Sequence, residues 1–417
     1  MTLSEELQWR GFVNQTTYKD ISVLDTAPIA FYFGVDPSAS SMTIGNLASV
    51  MMVRHFIRHG HKAFLLVGGA TGLIGDPDGK ADERTLKTMD EVAANKRAIG
   101  EEYKKLFGGK GFTLVDNYDW FKDMGYLTFL RDVGKHVPMR QMLQREFVQS
   151  RLGEEGSGIS YAEFSYALIQ GFDFVHLYRE HGVTLQLCGS DQWGNSIAGV
   201  ELIRRMEGGE AHVASMPLVI NKATGKKFGK SEDGAVWLDP TRTTPTQFYQ
   251  FWINADDTGA EEYLKIYTDL SKDEIDNIIA THGKDLSARH AQTELARAVT
   301  TLVHGVEQMR MAEKVTEYLT GRKPVAEADD AVLEGLRAEI PAISVRNDAS
   351  ILQSMVDAGL AESISEARRL LKGNAISIDG AKVAREAFEA GDFKSGRLLL
   401  KKGKKFKDSA LVEITAR

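Results

Sequence analysis

The chain has 417 residues, more than one typical hydrophobic core holds, so two or three domains are expected. Hydrophobic residues make up 43% and charged residues 26%, as in ordinary globular proteins, and no apolar run reaches the ~20 residues of a membrane span. The net charge is −7, yet residues 346–417 carry 14 Lys and Arg against 10 Asp and Glu, so a basic tail follows an acidic body. A polyanionic partner for the tail and a locally solvated basic surface both fit this asymmetry.

The cysteine content and the N-terminal sequence restrict the kinds of metal site and the location that are expected. The single cysteine, Cys188, excludes a disulfide framework and a multi-cysteine zinc site, and the sequence has no HExxH pattern, so no structural metal is expected. The N-terminus lacks the basic-then-apolar pattern of a signal peptide. These features predict a cytoplasmic protein with no membrane partner.

The first predicted elements are a short amphipathic helix over residues 5–20 and a strand over the apolar run 29–35, buried on both faces. A helix is predicted from Ile44, because apolar residues follow it at helical spacing. The N-terminus of such a helix attracts anions through its unpaired N–H groups, while Gly45 allows close approach and Thr43 offers a hydroxyl. Taken alone, the segment fits an ordinary strand-to-helix turn of an α/β domain better than an anion site.

Strands and helices alternate after this point, which predicts a parallel, doubly wound sheet. The predicted elements are strand 63–67, helix 89–107, strand 113–115, helix 160–176, strand 183–187 and a last strand 217–220. Residues 117–156 depart from the alternation and are rich in aromatic residues. That segment is interpreted as an insertion that covers the sheet or as a subunit contact.

Two sets of polar residues are placed to form a pocket. Tyr166, Gln170 and Asp173 share one face of the predicted helix 160–176, beside an apolar stripe, which favours a polar pocket over a solvated face. Gln192 follows the strand 183–187 closely. Polar residues just past the carboxyl end of a parallel strand lie at the ligand crevice.

The loop KKFGKS, residues 226–231, has three lysines, a glycine and a serine and no apolar period. Its lysines suit a polyphosphate, although the spacing of a Walker A loop is absent. A solvated basic loop is the alternative interpretation.

The remainder is predicted to be helical over 246–322, and residues 320–324 with the acidic stretch after them are predicted to be a linker. The tail is predicted to contain helices 350–359 and 363–372, strands 374–378, 397–400 and 411–414, and a hairpin turn at residues 379–380.

The chain resembles bacterial-type tyrosyl-tRNA synthetases, a group of class I aminoacyl-tRNA synthetases, from about residue 5 to its C-terminus. KFGKS, residues 227–231, is similar to the second class I signature, usually written KMSKS, and TIGN, residues 43–46, lies where the first signature, HIGH, belongs. Other segments match in the same order: GVDPSASS, LVGGATGLIGDP, NYDWF, SYALIQGFDF, GSDQWGN and AVWLDP. The tryptophan enzyme shares this fold, but SYxxxQxxD over residues 165–173 favours tyrosine.

The resemblance implies an α/β fold with three domains and a homodimer. These are a doubly wound, parallel-sheet (Rossmann-like) catalytic domain at 1–242, an α-helical domain at 243–330 and a small α+β RNA-binding domain of alpha-L type at 345–417. Within the first, it implies a connective and dimer region at 118–160 and a KFGKS loop at 222–234.

The implied reaction has two steps. The tyrosine carboxylate attacks the α-phosphate of ATP and expels pyrophosphate, and a ribose hydroxyl at the 3′ end of tRNA(Tyr) then takes the tyrosyl group. Such chemistry needs in-line positioning and positive charge where the leaving phosphates gain negative charge. Magnesium is expected with the nucleotide, bound mainly through its phosphates.

The resemblance also assigns residues to these roles. The tyrosine substrate is placed at Tyr32 and Asp173 (phenol), at Asp76, Tyr166 and Gln170 (ammonium), and at Gln192 (carboxylate). ATP is placed at Gly34, Asp36, Ser38 and Gly45, with its ribose at Asp191. The catalytic group is implied to be Thr43, Asn46, Lys80, Arg84, Lys227, Lys230 and Ser231, with Lys227 and Lys230 also binding ATP.

This sequence departs from the family pattern at both signature histidines, which are replaced by Thr43 and Asn46. Both replacements keep a hydrogen-bond donor. Three hypotheses therefore stand: an active tyrosine–tRNA ligase, a catalytically weak RNA-binding relative, and another nucleotidylyl transferase with a similar turn. The tail module and the KFGKS loop argue against the third, and the tyrosine pocket at Tyr32 and Asp173 favours the first.

Overall fold

The computed structural model describes residues 1–77, 86–153, 156–222, 224–231, 234–403 and 406–415, without side-chain placements for residues 141, 146, 147, 230 and 231. The chain divides into two compact units, one formed by Met1–Arg242 with Ala255–Leu295 and the other by Thr243–Asn254 with Ala296–Arg417. None of the described helices is long and apolar enough to cross a membrane.

The helices and strands are numbered in chain order. The helices are α1 (Leu3–Arg10), α2 (Ile44–Arg58), α3 (Thr71–Ile74), α4 (Met89–Phe107), α5 (Tyr118–Phe121), α6 (Tyr126–Asp132), α7 (Met139–Leu143), α8 (Glu146–Leu152), α9 (Tyr161–His181), α10 (Trp193–Met206), α11 (Pro245–Ile253), α12 (Ala260–Tyr267), α13 (Lys272–His282), α14 (His290–His304), α15 (Val306–Leu319), α16 (Asp330–Glu339), α17 (Ile351–Asp357) and α18 (Ile364–Lys372). The strands are β1 (Gln15–Thr16), β2 (Ala30–Val35), β3 (Lys62–Val67), β4 (Phe112–Asp116), β5 (Val183–Gly189), β6 (His212–Met216), β7 (Lys230–Ser231), β8 (Gly234–Ala235), β9 (Ala342–Val345), β10 (Ile376–Ile378), β11 (Ala381–Lys382), β12 (Arg397–Lys402) and β13 (Ser409–Ile414).

The first unit is built on a six-stranded sheet in the order β1-β6-β5-β2-β3-β4. Strands β2 to β6 run parallel, which confirms the predicted doubly wound layout, and only the two-residue edge strand β1 is antiparallel. The apolar run of β2 is a central strand, and Phe31, Tyr32 and Phe33 are all buried. Helix α2 begins after a polar turn that follows β2, as predicted.

Two predictions of local structure in this unit are wrong. The first helix ends at Arg10 rather than near residue 20, because Gly11 adopts a left-handed conformation (φ 79°) and the chain then forms β1. The last strand of the sheet is β6 rather than residues 217–220. Strand β6 is hydrogen-bonded on both sides, and Pro217 lacks the N–H that continued pairing there would require.

The second unit contains a five-stranded sheet in the order β11-β10-β12-β13-β9 with α17 and α18 packed on it. The predicted tail helices, strands and turn are confirmed, with Asp379 and Gly380 both at positive φ in the β10–β11 hairpin. The predicted linker is wrong, because the acidic stretch contains α16, capped by Asp329, which accepts from Val332 N at 2.9 Å. Leu319 and Leu336 share a core with Leu411 of the sheet, so α15, α16 and the tail are one packed body.

Helix α1 carries a buried charged cluster within the first unit. Glu6 Oε1 lies 3.0 Å from Arg10 Nε and 3.1 Å from His55 Nδ1, and Glu6 Oε2 lies 2.9 Å from His59 Nε2. The buried Arg10 guanidinium also donates to carbonyls of the segment after α12, those of Lys265, Thr268 and Leu270. Glu6 therefore links α1 to α2, and it compensates the Arg10 charge that ties α1 to that segment.

Glu6→Gln is expected to lower the free energy of unfolding by about 3 kcal/mol near pH 7.5, because it leaves the buried Arg10 guanidinium without its counter-charge. The His55 contact holds the pKa of Glu6 far below its usual range, and burial lowers the pKa of His55. Both groups bind fewer protons folded than unfolded, so wild-type stability falls as the pH drops below about 6.5 and again below about 4.5.

Denaturant unfolding between pH 4 and 8 measures this effect, and the matched control is Glu261→Gln, which breaks an exposed pair with Lys265. That variant should lose at most about 0.5 kcal/mol. A Glu6→Gln loss no larger than the control's contradicts the role given to the cluster.

Candidate active site

A cavity of about 370 Å³ opens in the first unit at the carboxyl ends of β2 and β5, beside the N-terminus of α2. It lies where a doubly wound sheet binds its ligands. Fourteen residues singled out in the sequence line it: Tyr32, Gly34, Asp36, Ser38, Thr43, Gly45, Asn46, Asp76, Tyr166, Gln170, Asp173, Asp191, Gln192 and Lys227. Lys80 and Arg84, and the side chains of Lys230 and Ser231, lie outside the described part of the structure.

The apolar end of the cavity holds Tyr32 and Asp173, both 2% exposed. The Asp173 carboxylate accepts from Asn117 Nδ2 at 3.1 Å and from Trp120 Nε1 at 2.9 Å. Burial nevertheless raises the pKa of Asp173 well above its usual range. The Tyr32 hydroxyl has no hydrogen-bond partner among the described residues, and an unpaired buried hydroxyl is costly. This end of the cavity is therefore prepared for a ligand that brings a hydroxyl.

A hydrogen-bond chain extends from Asp173 across the cavity. Asn117 Nδ2 also donates to Thr71 Oγ1 at 3.0 Å, and Thr71 Oγ1 donates to Asp36 Oδ1 at 2.6 Å. The Tyr166 hydroxyl donates to the other Asp36 oxygen at 2.7 Å. Neutral donors thus fix the orientation of both carboxylates within one hydrogen-bond network.

Gln192 is oriented by partners on both sides of its amide. Its Nε2 donates to Asp76 Oδ2, and its Oε1 accepts from Asn195 Nδ2 at 3.3 Å. Asn195 Oδ1 accepts in turn from Arg145 Nη1 at 2.7 Å. Because the acceptor side faces Asn195, the N–H side of the Gln192 amide faces the cavity wall that carries Asp76.

The N-terminus of α2 has a side-chain arrangement of its own. Asn46 Oδ1 accepts from both the backbone N–H and the hydroxyl of Thr43, each at 2.9 Å. These bonds use the acceptor side of the Asn46 amide, and no described residue accepts from its Nδ2. The structure therefore presents an NH₂ donor at a helix N-terminus, which is where an anion is stabilised.

The lysine loop passes directly beside this helix start. Gly229 is at φ 106°, and a Cβ there would lie 3.0 Å from Ile44 Cγ1 and 3.4 Å from Gly45 N, so the close approach requires glycine. The Lys227 ammonium lies 3.9 Å from Asp191 and is largely exposed. The loop and the turn at 43–46 thus form one wall of the cavity.

Three residues at the site were not singled out as site residues from the sequence. Asn117 and Trp120 were recognised only as part of the NYDWF segment, and Thr71 only as part of a glycine-rich run. Their contacts join residues 46 to 56 positions apart, which no local pattern reveals.

Comparison with known proteins gives two family matches. A model described as tRNA synthetases class I (W and Y) matches residues 24–320, and a model described as the tyrosine--tRNA ligase SYY-like C-terminal domain matches residues 332–407. Together they account for most of the chain, including the tail.

Individual relatives agree with these models. The chain is 42% identical to the tyrosine--tRNA ligase of Limosilactobacillus reuteri, over 97% of this chain and 98% of that protein. It is 43% identical to the tyrosine--tRNA ligase of Streptomyces griseus, over 98% of each. Among solved structures, a C-terminally truncated mitochondrial tyrosyl-tRNA synthetase of Aspergillus nidulans superimposes with a TM-score of 0.69 at 28% identity, covering 76% of this chain and 94% of that one.

Proposed function

Because the chain belongs to the class I tRNA synthetases, among the tyrosine–tRNA ligases, we propose that its cavity activates tyrosine with ATP and that tRNA(Tyr) then receives the tyrosyl group. The observation that carries the choice of amino acid is the unpartnered Tyr32 hydroxyl beside the Asp173 carboxylate. A phenol can donate to Asp173 and accept from Tyr32, which satisfies both groups at once. A side chain without a hydroxyl leaves the Tyr32 hydroxyl unpaired.

The polar walls suit the other end of the amino acid. The carboxylate of Asp76 with the side chains of Tyr166 and Gln170 would hold the tyrosine ammonium, and the Gln192 amide would donate to its carboxylate. These groups would direct the carboxylate oxygen towards the N-terminus of α2, where the α-phosphate of ATP would lie. In-line attack there forms the carboxylate–phosphorus bond as the bond to pyrophosphate breaks.

ATP would be held by close backbone approach at Gly34 and Gly45, by polar groups of Asp36 and Ser38, and by Asp191 at its ribose. Thr43, Asn46, Lys227, Lys230 and Ser231, together with Lys80 and Arg84, would stabilise the charge that develops on the phosphates. We propose that magnesium arrives with the nucleotide, bound through its phosphates. No group of three or more His, Cys, Asp or Glu side chains in the described part is arranged to hold a metal ion.

Tyrosine-dependent exchange of labelled pyrophosphate into ATP tests the first half-reaction, and charging of tRNA(Tyr) tests the second. Both should occur with the folded wild-type chain. Absent exchange with retained tRNA binding favours the RNA-binding alternative instead.

We propose the segment 118–160 as a homodimer contact. It exposes large apolar side chains, with Tyr126 62%, Leu127 78% and Met139 59% exposed. Exposed apolar groups of this size mark interaction surfaces.

Leu127→Glu is expected to raise the dimer dissociation constant at least about 100-fold, equivalent to about 3 kcal/mol, because a carboxylate would be buried without a partner. Light scattering over a concentration series measures the change. The matched control is Leu286→Glu, which alters another exposed leucine of the first unit. Equal effects of the two variants, or a monomeric wild type, contradict this contact.

We propose that the basic tail, within the domain at 345–417, contacts tRNA. Arg369 and Lys372 of α18 are exposed and have no ion-pair partner among the described residues, whereas Lys401 Nζ donates to the carbonyl of Leu319 at 3.0 Å. Lys404 and Lys405, two further basic residues of the tail, lie outside the described residues.

Reversing both charges, Arg369→Glu with Lys372→Glu, is expected to weaken tRNA binding and to lower the salt dependence of log Kd by about 1.4 to 1.8, because two phosphate contacts are lost. Pyrophosphate exchange should not change. Filter binding over a salt series measures the slope, with the charge-retaining Arg369→Lys, Lys372→Arg variant as control. An unchanged slope excludes these contacts.

A further inference from the structure

The carboxylate of Glu102, on α4 outside the cavity, accepts hydrogen bonds from the turn that leads into α2. Glu102 Oε1 accepts from Ser41 Oγ at 2.6 Å, and Oε2 accepts from Met42 N at 2.8 Å. Both Ser41 and Met42 are buried. The carboxylate thus reaches across 60 residues of sequence to the position just before Thr43.

The environment of Glu102 differs from that of its neighbour Glu101 on α4. Glu101, the preceding residue, is exposed and pairs with Lys104 within the helix. Glu102 is partly buried and forms no salt bridge among the described residues, and burial raises its pKa. A partly buried carboxylate without a cation partner is stabilised by the hydrogen bonds that it accepts. The same bonds restrict the movement of the two donor groups.

The same turn is tied on its other side to the segment that follows the lysine loop. Ser41 Oγ accepts from Asp239 N at 3.0 Å, and Met42 O accepts from Leu238 N at 2.9 Å. Ile44 N donates to Val236 O at 3.1 Å, and the N–H of Val236 donates to Gly229 O at 3.1 Å. Glu102 therefore holds the junction at which the turn 43–46 and the lysine loop meet.

We propose that Glu102 is a positioning residue for adenylate formation, which fixes Ser41 and Met42 so that Thr43 and the N-terminus of α2 face the phosphates. This role rests on the proposed function of the cavity. Glu102 itself touches neither substrate, and it acts through the main chain. Loss of the Glu102 contact should raise the free energy of the transition state, because a displacement of the donors by a fraction of an ångström weakens their hydrogen bonds to the phosphates.

The test compares Glu102→Ala and Glu102→Gln with the matched control Glu101→Ala. We expect Glu102→Ala to slow single-turnover adenylate formation by about 10- to 100-fold, while the tyrosine dissociation constant stays within about twofold. Glu102→Gln should fall between Ala and wild type, because an NH₂ group replaces one of the two acceptor oxygens and cannot accept from the donor that it faces. Glu101→Ala should match wild type.

A double-mutant cycle links the effect to Ser41. Because the two residues share one contact, Ser41→Ala combined with Glu102→Gln should slow the reaction less than the product of the single effects. Additive effects overturn the proposal, as does a Glu102→Gln rate equal to that of Glu101→Ala. Equal losses of rate and tyrosine affinity show a merely structural role and also overturn it. Lack of adenylate formation by wild type is a different result, which removes the proposed function itself.

Discussion

Asp173→Asn is expected to weaken tyrosine binding by roughly 10- to 150-fold, because a hydrogen bond to a charged acceptor is worth about 1.5–3 kcal/mol. The change keeps the size of the side chain but leaves one acceptor oxygen for two fixed donors, Asn117 Nδ2 and Trp120 Nε1. The new NH₂ group must then face one of these donors or the phenol. Activation of phenylalanine, which has no hydroxyl to lose, should change little, so the preference for tyrosine falls.

The measurement is kcat/KM for both amino acids in pyrophosphate exchange. The control is Asp119→Asn on α5, whose carboxylate is largely exposed and pairs only weakly with Lys122 at 3.7 Å. Because burial raises the pKa of Asp173, acidification should weaken tyrosine binding to wild type at a higher pH than an ordinary aspartate would allow. In Asp173→Asn, acidification over the same pH range should no longer weaken tyrosine binding. An unchanged tyrosine-to-phenylalanine ratio shows that the phenol binds elsewhere.

The sequence predicts the central sheet well, because burial on both faces leaves a clear pattern. The apolar run Phe31 to Phe33 predicts a buried strand, and the polar turn with Gly45 predicts the start of a helix. The last strand was misplaced because residues 217–220 are more apolar than β6 itself. Pairing on both sides of β6 decided its position, and this information lies in its neighbours rather than in its own residues.

The sequence likewise predicts some features of the candidate site and not others. Motif resemblance indicates which residues line the cavity, since each motif lies at the end of a strand or the start of a helix. Resemblance does not indicate what holds those residues in place. Trp120 and Glu102 reach their partners across 53 and 61 residues of sequence, and such contacts exist only once the sheet has brought the elements together.

The second large effect is expected at Asn46, which lies at the N-terminus of α2 beside the cavity. Thr43 donates to Asn46 Oδ1 through its backbone N–H and its hydroxyl, so the amide is fixed with its NH₂ group outward. We therefore expect the pair to act as one donor, with Thr43 orienting Asn46. A donor at a helix N-terminus stabilises charge on the phosphates without transferring a proton, and none is needed because the attacking carboxylate is already ionised.

Asn46→Ala should slow adenylate formation by roughly 10- to 150-fold, the cost of one hydrogen bond to a charged group. Asn46→Asp should slow it further, because the donor is replaced by a negative charge that repels the phosphates. Thr43→Val should have a smaller effect, since its backbone N–H still orients Asn46. Tyrosine binding should barely change in any of these variants, because the phenol end of the cavity is not altered.

Single-turnover adenylate formation distinguishes these variants, with Ser49→Ala, which alters a cavity residue one turn further along α2, as the control. The order of the rates decides which of Thr43 and Asn46 is the donor. If Asn46→Asp equals Asn46→Ala, the side chain does not face developing negative charge. If Thr43→Val is slower than Asn46→Ala, the threonine hydroxyl itself is the donor, and Asn46 serves to position it. If all of these variants match Ser49→Ala, the replacement of the histidines has left the lysine loop as the source of transition-state stabilisation.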